Sequence, residues 1–255
     1  MRALLAVAVL FPALVLADVP GVHSPPEAIA PPASALDSVR LFNSVEAYRL
    51  EPSDVRAEVR FLEGMPGTEP TMEVRAEVGV TRHFQLNLAE DISAAHGGGL
   101  QPTATPVSLR YTLGSEEDDI LFNPAIEAVV TPRPNAPARA GVRLLLAEEV
   151  VPRLVVAANG YLEQNLDRGS PAGVDGALGM AGGVSYALVR GHVRLGAEGQ
   201  LGAAQYGAPG YSLALAAGPT AALSLGPVAA TLSGLVDLTQ RRIGFEPMVT
   251  LGSTF

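Results

Sequence analysis

Residues Thr71 to Leu88, TMEVRAEVGVTRHFQLNL, alternate apolar and polar side chains twice over. In the first half Met72, Val74, Ala76 and Val78 alternate with Glu73, Arg75 and Glu77; in the second, Phe84, Leu86 and Leu88 alternate with His83, Gln85 and Asn87. Successive side chains of a strand point to opposite faces, so each half is a ribbon with one apolar and one polar side. The Gly-containing link between them is short enough for an antiparallel hairpin. In a soluble sheet such an apolar face is covered by a second layer. Here the same ribbon recurs to the last residue and no other segment supplies a cover, so the pattern predicts a closed barrel whose outer face meets lipid.

From Asp54 onward the alternation predicts twelve strands, at about 54–63, 71–79, 83–91, 105–113, 120–131, 139–147, 152–163, 175–188, 192–203, 210–223, 227–238 and 244–255. The expected fold is therefore all-β, a twelve-stranded antiparallel transmembrane meander. An even count starts and ends the barrel on one side of the membrane, as in single-chain bacterial barrels. Connections after the even strands, among them Gly114 to Asp119, read as mostly tight. Those after the odd strands are longer, including DISAAHGGGLQPTA, TPRPNAPAR and QNLDRGSPAG. Short turns on one rim and longer loops on the other are the asymmetry of an outer-membrane barrel, with the short side periplasmic.

Charge narrows the pairing of the first two strands. Arg56, Glu58 and Arg60 share one face of strand 1, and Glu73, Arg75 and Glu77 share one face of strand 2. One antiparallel register sets Arg60 against Glu73, Glu58 against Arg75 and Arg56 against Glu77. It also sets Phe61 against Met72, Val59 against Val74, Ala57 against Ala76 and Val55 against Val78. A slip of two residues keeps the faces but brings like charges together, and such cross-strand pairs are destabilising.

The chain begins MRALLAVAVLFPALVLA, in which one Arg, an apolar run and a small-residue ending predict a secretory signal peptide over 1–17. A retained anchor needs about 20 apolar residues, more than this run supplies. Residues 18–53 are first rich in Pro and Ala, the composition of an extended periplasmic leader before a barrel over 54–255. Leu41 to Leu50 fits either a short strand or a helical turn. A net charge of -9, with every basic residue an Arg, argues against a nucleic-acid partner. The absence of Cys removes disulfides, thiolate catalysis and Cys-ligated metals.

Aromatic placement tests the barrel independently. By apolar parity Phe61, Phe84, Tyr111, Phe122, Tyr186, Tyr211, Phe245 and Phe255 point outward, each near a strand end, as two interfacial girdles require. The last strand, GFEPMVTLGSTF, puts Phe245, Val249, Leu251 and Phe255 on one face and ends on Phe. This resembles the C-terminal signature of bacterial outer-membrane β-barrel proteins, departing from it at Ser253 and Pro247. The resemblance implies outer-membrane localisation, a lipid environment and recognition of Phe255 by the barrel-insertion machinery. Hairpins of the form EVGVTRHFQLNL also resemble those of a broad class of outer-membrane solute transporters.

Inward parity assigns Arg56, Glu58, Arg60, Glu73, Arg75, Glu77, His83, Arg110, Glu127, Arg143, Arg153, His192, Arg194 and Glu198 to the lumen, with Gln85, Asn87, Asn159 and Gln200. Such a lining serves either as a solute path walled by fixed charges or as a self-neutralising network that fills the interior. Gly179, Ala181, Gly183, Ser185, Ala214, Ala216 and Gly218 leave one wall bare, which favours a narrow eccentric channel. Catalysis is not expected: the segments around His83 and His192, HFQ and HVR, lack the closely spaced His and Ser that a resemblance to barrel phospholipases would demand. His23 and His96 read as leader and loop residues, and the run Glu116 to Asp119 lacks the spacing of a calcium loop. No cofactor is implied. The expected role is passage or binding of a small solute. The alternatives are a structural or interaction barrel with a filled lumen and, less favoured, a lipase-like barrel enzyme.

Overall fold

The computed structural model describes residues 41–42, 50–62, 70–94, 99–114, 121–166, 176–206, 212–239 and 245–255, the side chains of 203–206, 212–213 and 245–246 excepted. The expected signal peptide, most of the leader, the run Glu116 to Asp119, His23, His96 and Tyr211 lie outside the described residues, as do the side chains of Phe245 and Ala203.

Among the described residues there are thirteen strands: β1 (Val55–Leu62), β2 (Thr71–Gly79), β3 (Phe84–Ala94), β4 (Leu100–Ala104), β5 (Val107–Thr112), β6 (Ala125–Thr131), β7 (Arg139–Val151), β8 (Leu154–Asn165), β9 (Gly176–Val189), β10 (Val193–Tyr206), β11 (Ser212–Leu225), β12 (Val228–Asp237) and β13 (Phe245–Thr254). Strands that follow one another pair antiparallel, except that β5 pairs with β3 and not with β4, and β1 pairs with both β2 and β13, which closes the ring. Twelve strands form the barrel. The extra one, β4, pairs only with the far end of β3, where Ile92 faces Pro102 and Ala94 faces Leu100. Much of the connection DISAAHGGGLQPTA is thus a hairpin that prolongs the wall past the long-loop rim, and Thr105 and Pro106 divide β4 from β5.

Closure is completed at the last residue. The Phe255 N–H donates to the Val55 carbonyl at 2.9 Å and the Val55 N–H donates back at 3.1 Å. Between β1 and β2 the register is the charge-complementary one: Arg60 stands opposite Glu73, Glu58 opposite Arg75 and Arg56 opposite Glu77. Each such pair contributes only about 0.2–1 kcal/mol, but three in series on the same two strands penalise a slip at every rung.

Burial is inverted relative to a soluble protein. Glu77 is 0% exposed and Glu127 1%, whereas Leu88 is 50% exposed and Leu162 51%. Phe61, Phe84, Tyr111, Tyr186 and Phe255 are all exposed on the outer side, and Phe122 is exposed at the rim. A continuous apolar exterior with charges inside is stable only where lipid replaces water around the belt.

One connection on the short-turn rim departs from the expectation. β5 ends at Thr112 and β6 begins at Ala125, so the link is not tight. Residues 121–122 are in a turn, and Phe122 takes a left-handed φ of 66°. There its N–H donates to Glu148 Oε2 at 2.7 Å and its carbonyl accepts from the Ala147 N–H at 2.8 Å. Alternation across Leu121 and Phe122 therefore reflected a turn docked on β7, not the start of a strand.

Candidate functional site

Inside the barrel the polar faces of β1 to β8 build a band of charge. On β1 and β2, Arg60 Nη2 donates to Glu73 Oε2 at 2.7 Å, while Arg75 donates to Glu73 Oε1 at 3.1 Å and to Glu77 Oε1 at 3.4 Å. Arg56 and Glu58 lie 4.0 Å apart, and Arg56 Nε donates to Thr254 Oγ1 at 3.2 Å on β13. β3 carries the chain of contacts onward: Gln85 Nε2 donates to Asn87 Oδ1, and Asn87 Nδ2 donates to Ser108 Oγ and Glu127 Oε1. Arg110 Nε and Nη2 both donate to Glu127 Oε2, at 3.2 and 2.8 Å. Acid and base thus come together because inward parity on adjacent strands sets Arg110 opposite Glu127 and Glu127 opposite Arg143.

The band loosens toward the long-loop rim. Arg143 is 3.8 Å from Glu127 and 3.6 Å from Glu163, and Arg139 is 3.9 Å from Glu163. Here a cavity of about 190 Å³ opens among Glu73, Asp91, Glu163, Arg133, Arg139 and Arg143, with Ala89, Ala104 and Val129 also in its lining. Arg133, in the β6–β7 loop, donates to the Pro137 carbonyl and to Asn165 Oδ1. Burial, and then the like charge of Arg139, draw its guanidinium below the ordinary value, although it stays protonated at physiological pH.

The short-turn half of the lumen is filled differently. Leu41, Phe42 and Leu50 are buried inside the barrel. Leu41 and Phe42 form an apolar cluster with Ala147, Val155, Ala157 and Ala222 of β7, β8 and β11. The Leu50 N–H points to Gln85 Oε1 on β3 at 3.4 Å. Two ends of one segment therefore touch different walls, and Leu41 to Leu50 is not wholly part of an external leader. The bare wall is not empty space. A Cβ on Gly183 would come within 2.5 Å of the Phe42 ring, and one on Gly179 within 2.5 Å of Tyr161 Oη, so glycine there makes room for aromatic side chains. Ser185 accepts from Arg194 Nε at 3.1 Å, and Ala216 packs with Leu235 and Met248 in a second inward-facing apolar cluster.

The remaining sequence-derived candidates divide into two groups. Arg194 and Glu198 are buried on the inward face of β10. Arg153 and His192 are not on the lumen wall: both are exposed turn residues, Arg153 with a φ of 76°. His83 sits at the short-turn rim, its Nδ1 3.1 Å from the Thr112 carbonyl and its ring 5.9 Å from that of outward-facing Tyr111. Parity fails at Arg153 and His192 because a turn residue no longer alternates between faces. Conversely, Asp91, Arg139, Tyr161 and Glu163 follow the inward parity of β3, β7 and β8 and were legible on that basis. Arg133, Leu41 and Phe42 carry no periodic signal.

A closed barrel with an apolar belt, exposed rim aromatics and a charged interior defines a porin-like β-barrel of the bacterial outer membrane. No family model matches the chain, and no curated protein matches it either. Solved structures do share the fold. The COG4313 outer membrane channel from Pseudomonas putida F1 superposes with a TM-score of 0.57 at 12% identity, over 81% of this chain and 97% of that one. The NanC porin gives 0.56 at 12% identity over 78% and 98%, and the KdgM porin 0.54 at 11% identity over 78% and 99%.

Proposed function

We propose that the protein is a passage for a small solute, entered through the charged vestibule at the long-loop rim and narrowed toward the periplasm by Leu41 and Phe42. The vestibule carries this reading: a cavity of about 190 Å³ in which Arg139 and Arg143 reach Glu163 and Glu127 only at 3.6–3.9 Å, long enough to open to a solute. Barrels of this fold include channels and porins, and the KdgM porin has been captured with disordered oligogalacturonate. Planar-bilayer recording of the full-length protein tests the proposal. Small, discrete conductance steps are expected, with ion selectivity that moves toward cations in Arg139→Gln/Arg143→Gln. Inserted protein that passes no current would leave the second reading, a barrel sealed by Leu41 and Phe42 that binds a solute without passing it.

In this reading residues 1–17 direct export and are removed, and Phe255 presents the finished barrel to the insertion machinery. Phe255 also supplies the last rung between β13 and β1 and an aromatic at the rim. Its deletion is expected to lower the yield of membrane-inserted barrel far more than deletion of residues 20–30. Equal yields, measured by heat-modifiable gel mobility of outer-membrane fractions, would count against this role.

A further inference from the structure

The vestibule charges are not distributed at random. Glu73 is engaged by both Arg60 and Arg75, and Glu127 by Arg110. Asp91 differs: among the described residues its carboxylate has no hydrogen bond and no ion pair, although it lines the same cavity. Two strand steps along the wall, Arg133 follows the end of β6, and Arg139 and Arg143 lie one strand further on, at the start of β7. Asp91 is level with Ala104, and Thr105 is bonded to Pro132 next to Arg133. With strands about 4.8 Å apart, the Asp91 and Arg133 backbones stand roughly 10 Å apart across the cavity wall. One anionic end and one cationic end thus face a single water-accessible space.

We propose that this vestibule selects a small dipolar solute, a molecule with an ammonium group at one end and a carboxylate at the other. The ammonium pairs with Asp91 and the carboxylate with Arg139 and Arg143, whose bonds to Glu163 are already stretched to 3.9 and 3.6 Å. A solute with only an anionic group leaves Asp91 unpaired. One with only a cation gains nothing from the arginines. Complementary charge at both ends therefore supplies selectivity that neither end supplies alone. The inference rests on the vestibule being the solute site, as in the passage reading, but not on conduction.

The test is titration calorimetry on the detergent-solubilised full-length barrel with three probes of one chain length: 6-aminohexanoate, hexanoate and hexylamine. 6-Aminohexanoate is expected to bind at least tenfold more tightly than either singly charged probe. Asp91→Asn should reduce it to the affinity of hexanoate while leaving hexanoate unchanged, and Arg139→Gln/Arg143→Gln should weaken both. Equal binding of hexanoate and 6-aminohexanoate, no binding of any probe, or an Asp91→Asn barrel that keeps the preference would each overturn the proposal. Preferential binding by a barrel that passes no current would uphold it and sink only the passage reading.

Discussion

Deletion of residues 41–50 is expected to raise the single-channel conductance several-fold while leaving the barrel folded. Phe42 is 0% exposed and Leu41 nearly so, and both press on small residues of the lumen wall. Burying such side chains contributes about 1.5–3 kcal/mol each, enough to hold the segment in place without making it part of the wall. The wall itself begins at Val55 and is anchored just before it, where the Ser53 N–H donates to the Gly79 carbonyl at 2.8 Å. The deletion should thus take Leu41, Phe42 and Leu50 out of the short-turn half of the lumen and leave the ladder between β1, β2 and β13 intact. Phe42→Ala should give a smaller rise. Gly183→Leu should reproduce it from the opposite side, since its Cβ alone already collides with the Phe42 ring. Conductance unchanged in the deletion, with undiminished heat-modifiable mobility, would show that Leu41 and Phe42 do not narrow the path.

Loss of Glu127 is expected to be the most damaging single change to the barrel interior. Its carboxylate is buried, accepts two bonds from Arg110 and one from Asn87, and faces Arg143 at 3.8 Å. Glu127→Ala removes the carboxylate that accepts two bonds from the buried Arg110 guanidinium, and breaking a buried pair in this way costs about 3–5 kcal/mol. Glu163→Gln, at the wet end of the same band, should cost only about 0–1 kcal/mol because water and lengthened contacts already screen it. Urea unfolding of both variants refolded into lipid vesicles measures the difference. Equal shifts would mean that the interior is uniformly hydrated and that the Arg110–Glu127 pair has no special weight.

The wall of this barrel was largely legible in the sequence. Strands β1, β2, β3, β5, β8, β9, β10, β11, β12 and β13 lie within a few residues of where period-two alternation puts them. The misreadings share one cause. Leu121 and Phe122 alternate like a strand but form a turn, and Arg153 and His192 were given a face although each sits where the chain reverses. Alternation defines orientation only while neighbouring strands hold the backbone extended. β4 was missed because LQPTA contains Pro and lacks a run of apolar residues, and it exists only because β3 extends far enough to pair with it.

Strand number, the lipid-facing side, and the register of β1 on β2 were set by the residues themselves, because each depends on contacts between adjacent strands whose chemistry repeats along the chain. What occupies the lumen was decided only by the three-dimensional structure. Leu41 and Phe42 carry no periodicity, and their burial depends on the chain returning inside a ring that exists only once β13 has met β1. The glycines and alanines of β9 looked like open space from sequence; the structure shows them as the surfaces on which Phe42 and Tyr161 rest. Likewise, Asp91 and the arginines of β7 and the loop before it are far apart in sequence, and only closure of the barrel turns them to one cavity.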